Sequence, residues 1–154
     1  MELREHILNQ IMRWCAYRDR SEQEAVEKLL ELGVEEKEIA GIIEYLKEER
    51  YLDEKRFVQN FIQGKLSKKW GIEKIKHHLR YKYQVPEELI NQCLLVIDRE
   101  DYLIQLEKIL RKKKELLEKK EKDKSILKKK IINFALSKGY DYSDIYRVIN
   151  ELKF

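Results

Sequence analysis

The chain has 154 residues, of which 40% are charged and 43% hydrophobic, with one proline, five glycines and a formal net charge of +4. The hydrophobic share excludes wholesale disorder, and so few proline and glycine turns argue against an all-β fold. Leu and Ile recur three and four residues apart, so the expected fold is all-α.

Taken in chain order, the first helix carries Ile7, Leu8, Ile11, Trp14 and Cys15 on one face. Ser21 with Glu24 has the spacing of a capping box and opens a second helix through Ala25, Leu29 and Leu30. Gly33 then falls where a left-handed C-cap residue belongs. Ile39, Ile42, Ile43 and Leu46 mark a third helix. Asp53 is placed to cap a fourth, with Phe57, Phe61 and Ile62 facing inward. A fifth begins near Gly71 with Ile72, Ile75 and Leu79. Pro86 and the acidic pair Glu87-Glu88 suit the first turn of a sixth, where a missing N–H costs nothing and negative charge complements the dipole. Leu103, Leu106 and Leu110 indicate a seventh. Arg111–Lys124 has almost no apolar residues besides Leu116 and Leu117, and reads as an exposed helix end running into a mobile connection. Two more helices follow, through Ile126, Leu127, Ile131, Ala135 and Leu136, and then through Ile145, Val148, Ile149 and Leu152.

These elements repeat. From Val34 the apolar residues fall at offsets of 5, 8, 9 and 12, and the same offsets recur from Val85 and from Tyr140. The three anchors are 51 and 55 residues apart, a period that indicates a helical repeat array. Gly33 and Gly139 precede the outer anchors, whereas Gln84 stands in that place in the middle, so a different turn is possible there. The expected architecture is an elongated, curved array of three tandem three-helix repeats, about nine helices, with bounds at 1–51, 52–98 and 99–154. Three short helices bury too little apolar surface alone, so the units must share a core.

No uncharged stretch approaches the roughly 20 apolar residues that a membrane helix needs. The first residues, Met1 to His6, have neither an apolar core nor a cleavage site of a signal peptide. Cys15 and Cys93 lie within apolar helical patterns, as reduced core thiols do. A cytoplasmic protein is expected.

Catalytic and metal groupings are not found. His77 and His78 are adjacent, so on a helix they diverge by about 100° and cannot ligate one metal. No zinc-binding or phosphate-cradling motif occurs, and the dispersed carboxylates fit ion pairing along solvent-facing helix surfaces. The expectation is a protein that binds, without cofactor or metal.

Charge is unevenly distributed. Residues 22–54 carry twelve Asp/Glu and four Lys/Arg, 65–82 carry one Glu and seven Lys/Arg, and 108–130 carry four Asp/Glu and twelve Lys/Arg. Lys65, Lys68, Lys69, Trp70, Lys74, Arg80 and Lys82 interleave bases with an aromatic, as do Lys76 and Tyr81 nearby. Such lysines could neutralise phosphates while an exposed aromatic stacks on a base. Equally, Trp70 could be a core anchor and the lysines a solvated face. For Lys112 and Lys113 (with Lys114), and for Lys128, Lys129 and Lys130, the alternatives are a phosphate contact or a solubilising surface.

The segment Tyr51-Leu52-Asp53-Glu54-Lys55-Arg56-Phe57, with Arg20-Ser21, Leu29 and Gly33 before it, resembles the signature of the RecX family of bacterial regulators. Gly71, Ile75 and Leu79 match that family's Gly-x-x-x-Ile-x-x-x-Leu stretch, while Gln84 departs from its usual glycine. The resemblance implies three helical repeats and a partner, the RecA recombinase, bound within the groove of its filament on DNA. It implies restraint of ATP hydrolysis, strand exchange and filament growth in recombination, DNA repair and the SOS response; separately from the resemblance, a monomer is expected. The signature residues also have structural uses. Asp53 caps a helix, Phe57 packs inward, Tyr51 and Leu52 fill the joint after the first unit, and Arg56 could pair with an acidic neighbour. A standalone nucleic-acid-binding helical module, or an adaptor for another protein, remains open on the residues alone.

Overall fold

The computed structural model describes residues 2–152, and side chains from Arg4 onward. The expected outer bounds at Met1 and Phe154 lie outside the described residues. Nine α-helices and no strand occur among those described: α1 (Glu2–Tyr17), α2 (Glu22–Glu31), α3 (Glu36–Glu48), α4 (Glu54–Ser67), α5 (Ile72–His77), α6 (Glu87–Leu94), α7 (Arg99–Glu118), α8 (Lys124–Ser137) and α9 (Tyr142–Leu152). A π-helical stretch, His78–Lys82, continues α5. The fold is an all-α tandem repeat of three-helix units, as the spacing predicts. α7 remains helical through Glu118, so most of the charge-rich Arg111–Lys124 stretch is helix and only its end is connection.

Capping chemistry sets the element ends. Ser21 is fully buried, its hydroxyl accepts the Glu24 N–H at 3.0 Å, and the Glu24 carboxylate accepts the Ser21 N–H at 3.1 Å. Both halves of the capping box are therefore formed. Asp53 accepts the Arg56 N–H at 3.0 Å, and Asp123 opens α8 by accepting from Ser125 and Ile126.

Helix exits reuse one motif. At Gly33 (φ 88°), N–H groups of Gly33 and Val34 return to the carbonyls of Leu30 and Leu29, and Gly139 (φ 99°) and Tyr140 do the same to Leu136 and Ala135. The backbone there is left-handed, which glycine enters without the Cβ clash that other residues pay. Gln84 adopts the same left-handed region, φ 50°, so the turn that its side chain put in question is conserved in conformation. What differs is length. The Val85 N–H returns to Leu79, six residues back, where Val34 and Tyr140 return over five. The π-helical stretch absorbs that extra residue, as single-turn π-bulges do.

The chain forms two compact units. One holds residues up to Phe61 together with Leu79–Cys93, and the other holds Ile62–His78 together with Leu94 onward. In the first, Ile11, Ala25, Leu29 and Leu46 are fully buried where α1, α2 and α3 meet, with Cys15 and Leu52 beside them. Phe57 is also buried, in ring contact with Phe61 and Tyr83. The Arg56 guanidinium bonds Asp19 at 2.7 Å, and Asn60 holds the other oxygen of that carboxylate. Arg20 lies 4.1 Å from the Trp14 ring centroid and donates to the Trp14 carbonyl.

In the second unit, Leu106, Leu110, Ile131, Ala135 and Ile145 are fully buried between α7, α8 and α9. The start of α5 docks on this bundle backbone to backbone. Gly71 N–H donates to the Lys138 carbonyl at 2.7 Å, Glu73 N–H to the Gly139 carbonyl at 2.9 Å, and Ile72 N–H to the Tyr102 hydroxyl at 2.8 Å. These contacts satisfy N–H groups that a helix start leaves without internal partners. They also explain Gly71, because a Cβ there would lie 2.1 Å from the Gly139 carbonyl carbon.

Candidate nucleic-acid interface

The second unit gathers lysines from three places in the sequence. α4 ends in a turn whose N–H groups, from Lys69 and Trp70, return to Leu66 and Lys65. Lys69 takes the left-handed position, φ 67°, so this turn presents Lys68 and Lys69 side by side. Lys108 and Lys112 follow each other at i,i+4 on α7, with Lys113 next to them, and Lys138 closes α8. All six line one cleft of about 310 Å³ with Ile109, Leu116 and Phe134. No carboxylate lines it, and none of the six lysines forms an ion pair among the described residues.

An unbalanced positive charge over apolar walls focuses the field into the cleft and concentrates anions there. Phe134 organises two of the ammonium groups: Lys113 Nζ lies 4.4 Å and Lys138 Nζ 5.7 Å from its ring centroid. Trp70 does the same nearby, with Lys65 Nζ at 4.5 Å and Lys74 Nζ at 4.2 Å, and the His78 ring centroid at 4.7 Å. Each ring is half-buried, which gives flexible lysines an anchored stem and a favourable π-face at once.

The structure thus brings Lys68, Lys69, Lys112 and Lys113 into one cleft although they are more than 40 residues apart. Lys65, Trp70 and Lys74 form their own cluster in the same unit. Lys128 reaches to 6.0 Å from the Tyr146 ring centroid, Lys129 is exposed, and Lys130 pairs with Glu121 at 3.2 Å. Arg80 and Lys82 fall in the first unit. There Arg80 pairs with Glu87 at 2.6 Å, and Lys82 lies 5.3 Å from the Tyr83 ring centroid. Lys138 lies outside the basic runs that mark the other lysines in the sequence, although its place one turn after Phe134 is a usable signal. Ile75 and Leu79 are fully buried, as a helix face with that spacing should be.

The first unit carries the opposite charge. Glu54 lies beside Glu22 and Glu24 and accepts the Glu22 N–H at 3.2 Å. Burial pushes its carboxyl up to about 7, and the neighbouring carboxylates add to that against Lys47. No group of His, Cys, Asp or Glu able to hold a metal ion occurs among the described residues. Nor is any described helix long and apolar enough to cross a membrane.

Fold and charge together define an all-helical tandem-repeat protein with a lysine-lined cleft. Two family profiles match it, described as the first three-helix domain of RecX, over residues 8–46, and the third, over residues 100–149. Two curated relatives, both regulatory proteins RecX, are 35% identical over 133 residues (Clostridium tetani) and 38% identical over 133 residues (Clostridium perfringens), each covering 86% of this chain. The chain spans only 61% and 62% of the length of those relatives. The crystal structure of RecX from Lactobacillus salivarius superposes with a TM-score of 0.88 at 20% identity, covering 99% of this chain and 97% of that one. The chain belongs to the RecX family of regulatory proteins.

Proposed function

We propose that this chain binds the RecA recombinase and its filament on DNA, and restrains ATP hydrolysis, strand exchange and filament growth without catalysing a reaction itself. The observation that carries this reading is membership of the RecX family. The lysine-lined cleft supports the DNA half, because six ammonium groups without carboxylates suit a row of phosphates. The acidic surface of the first unit offers a protein partner a face of opposite sign, which would steer encounter more than set affinity. In this reading the protein is a cytoplasmic monomer of three repeats, 1–51, 52–98 and 99–154, acting in recombination and DNA repair.

The test is ATP hydrolysis by RecA on single-stranded DNA, with strand exchange and filament length measured alongside, as this protein is added to micromolar concentration. Reduced hydrolysis and shorter filaments are expected. No change in all three measurements would refute the proposal.

A second reading, a standalone nucleic-acid-binding module, is favoured by the cleft alone. It requires DNA affinity that falls steeply with salt in the absence of RecA. If neutralising Lys68, Lys69, Lys112 and Lys113 leaves DNA affinity intact, that reading fails.

A further inference from the structure

Helix α8 is flanked by two different surfaces. One flank, with Phe134 and Lys138, faces α7 and forms the lysine cleft. The other reaches α9, where Tyr142 and Tyr146 stand one turn apart. Their ring centroids are 5.9 Å apart at an interplanar angle of 17°, a stacked pair. Both rings are open to solvent, Tyr142 at 55% and Tyr146 at 43%. Lys128 Nζ lies 6.0 Å from the Tyr146 centroid. At 100° per residue, Lys129 and Lys130 occupy the solvent face of α8 between its two flanks, and both are exposed.

The core does not need these two rings. Ile145, Val148 and Ile149 fill the inner face of α9, each at most 3% exposed, while Tyr142 and Tyr146 point away from it. Two near-parallel exposed rings with an ammonium beside them form a surface on which an unpaired base can stack while its phosphate meets a lysine. In a duplex the base faces are covered by their neighbours, so such a surface engages only unpaired strand. The cleft, in contrast, responds to phosphates whatever the strandedness.

We propose that Tyr142 and Tyr146, with Lys128, form a base-stacking site that makes this protein favour single-stranded over duplex nucleic acid. This rests on the DNA half of the function proposed above. The two rings add selectivity to the charge-driven binding of the cleft without adding to its salt dependence, whereas Lys128 contributes to that dependence as any phosphate contact does.

The test compares a labelled thymidine strand of about 20 nucleotides, an abasic strand with the same phosphates, and a duplex of the same length. They are titrated with wild type, the Y142A/Y146A variant and the Y142F/Y146F variant. Wild type should bind the thymidine strand at least about fivefold more tightly than the abasic strand, since stacking contributes appreciably per base. The alanine variant should lose that preference, keep its abasic and duplex affinities, and show an unchanged salt slope. The phenylalanine variant should restore the preference, which separates ring stacking from a hydroxyl or folding effect. If wild type binds thymidine and abasic strands equally, or alanine substitution leaves the preference intact, or the phenylalanine variant behaves as alanine does, the stacking site is refuted. If wild type binds none of the three, the DNA half of the proposed function falls with it.

Discussion

The hydroxyl of Tyr102 on α7 accepts the backbone N–H of Ile72, the first residue of α5, at 2.8 Å. Tyr102 is 4% exposed, and burial pushes its hydroxyl well above the ordinary tyrosine range, so it stays protonated at any working pH. The Tyr102→Phe variant keeps the ring and strands the Ile72 N–H. A loss of about 1 kcal/mol in chemical denaturation is expected, because this part-buried donor is left without its acceptor.

Glycine is required at Gly71 and dispensable at two other positions. Gly71→Ala drives a Cβ into the Gly139 backbone and should cost about 3 kcal/mol or more, because backbone on both sides cannot yield cheaply. Gly41 and Gly64 lie within α3 and α4, and an added Cβ meets nothing within 4 Å. Alanine at either should raise stability by about 0.5–1 kcal/mol. Thermal melts of the three variants provide the check.

Gln84 holds a left-handed conformation that costs a non-glycine residue roughly 1 kcal/mol. Gln84→Gly should therefore stabilise the protein by about 0.5 kcal/mol once the extra freedom of the unfolded glycine is counted. A lower melting temperature would show that the glutamine side chain stabilises the turn after the π-helical stretch.

Glu54 should make stability decline with pH. Its folded value of about 7 exceeds the ordinary 4.5, so between those values the folded state holds more protons than the unfolded. Its stabilising contribution is full below pH 4.5 and is lost as pH rises through 7. Glu54→Gln should flatten the melting-temperature profile across that window. An unchanged slope would assign the decline to other groups.

The lysine cleft sets the salt dependence of DNA binding in the proposed function. Replacing Lys68 and Lys112 with Gln should lower affinity for every sequence alike and reduce the slope of log affinity against log salt by roughly 1.4 for single strands. The same two changes on Lys129 and Lys130, of which Lys130 is paired with Glu121, should have a smaller effect. Equal effects would mean that the cleft adds nothing to a diffuse basic surface.

Local sequence determined much of this fold, because its signals act over one helical turn. Ser21 and Glu24 cap each other three residues apart, Asp53 caps α4, and Gly33 and Gly139 end helices through their own backbone. The extra residue between Leu79 and Val85 was equally present in the sequence, but only hydrogen bonding shows it taken up as a π-helical stretch. Tertiary structure alone decided which charges meet. Lys68 and Lys112 converge because the turn after α4 and helix α7 belong to one unit, and no period or motif encodes that juxtaposition. It decided equally that Arg80 is spent on Glu87, that Gly71 lies against Gly139, and that Tyr102 caps a helix 30 residues before it. Caps and apolar periods are local geometry and survive in one dimension, whereas a binding surface is a relation between distant side chains that exists only once the helices have packed.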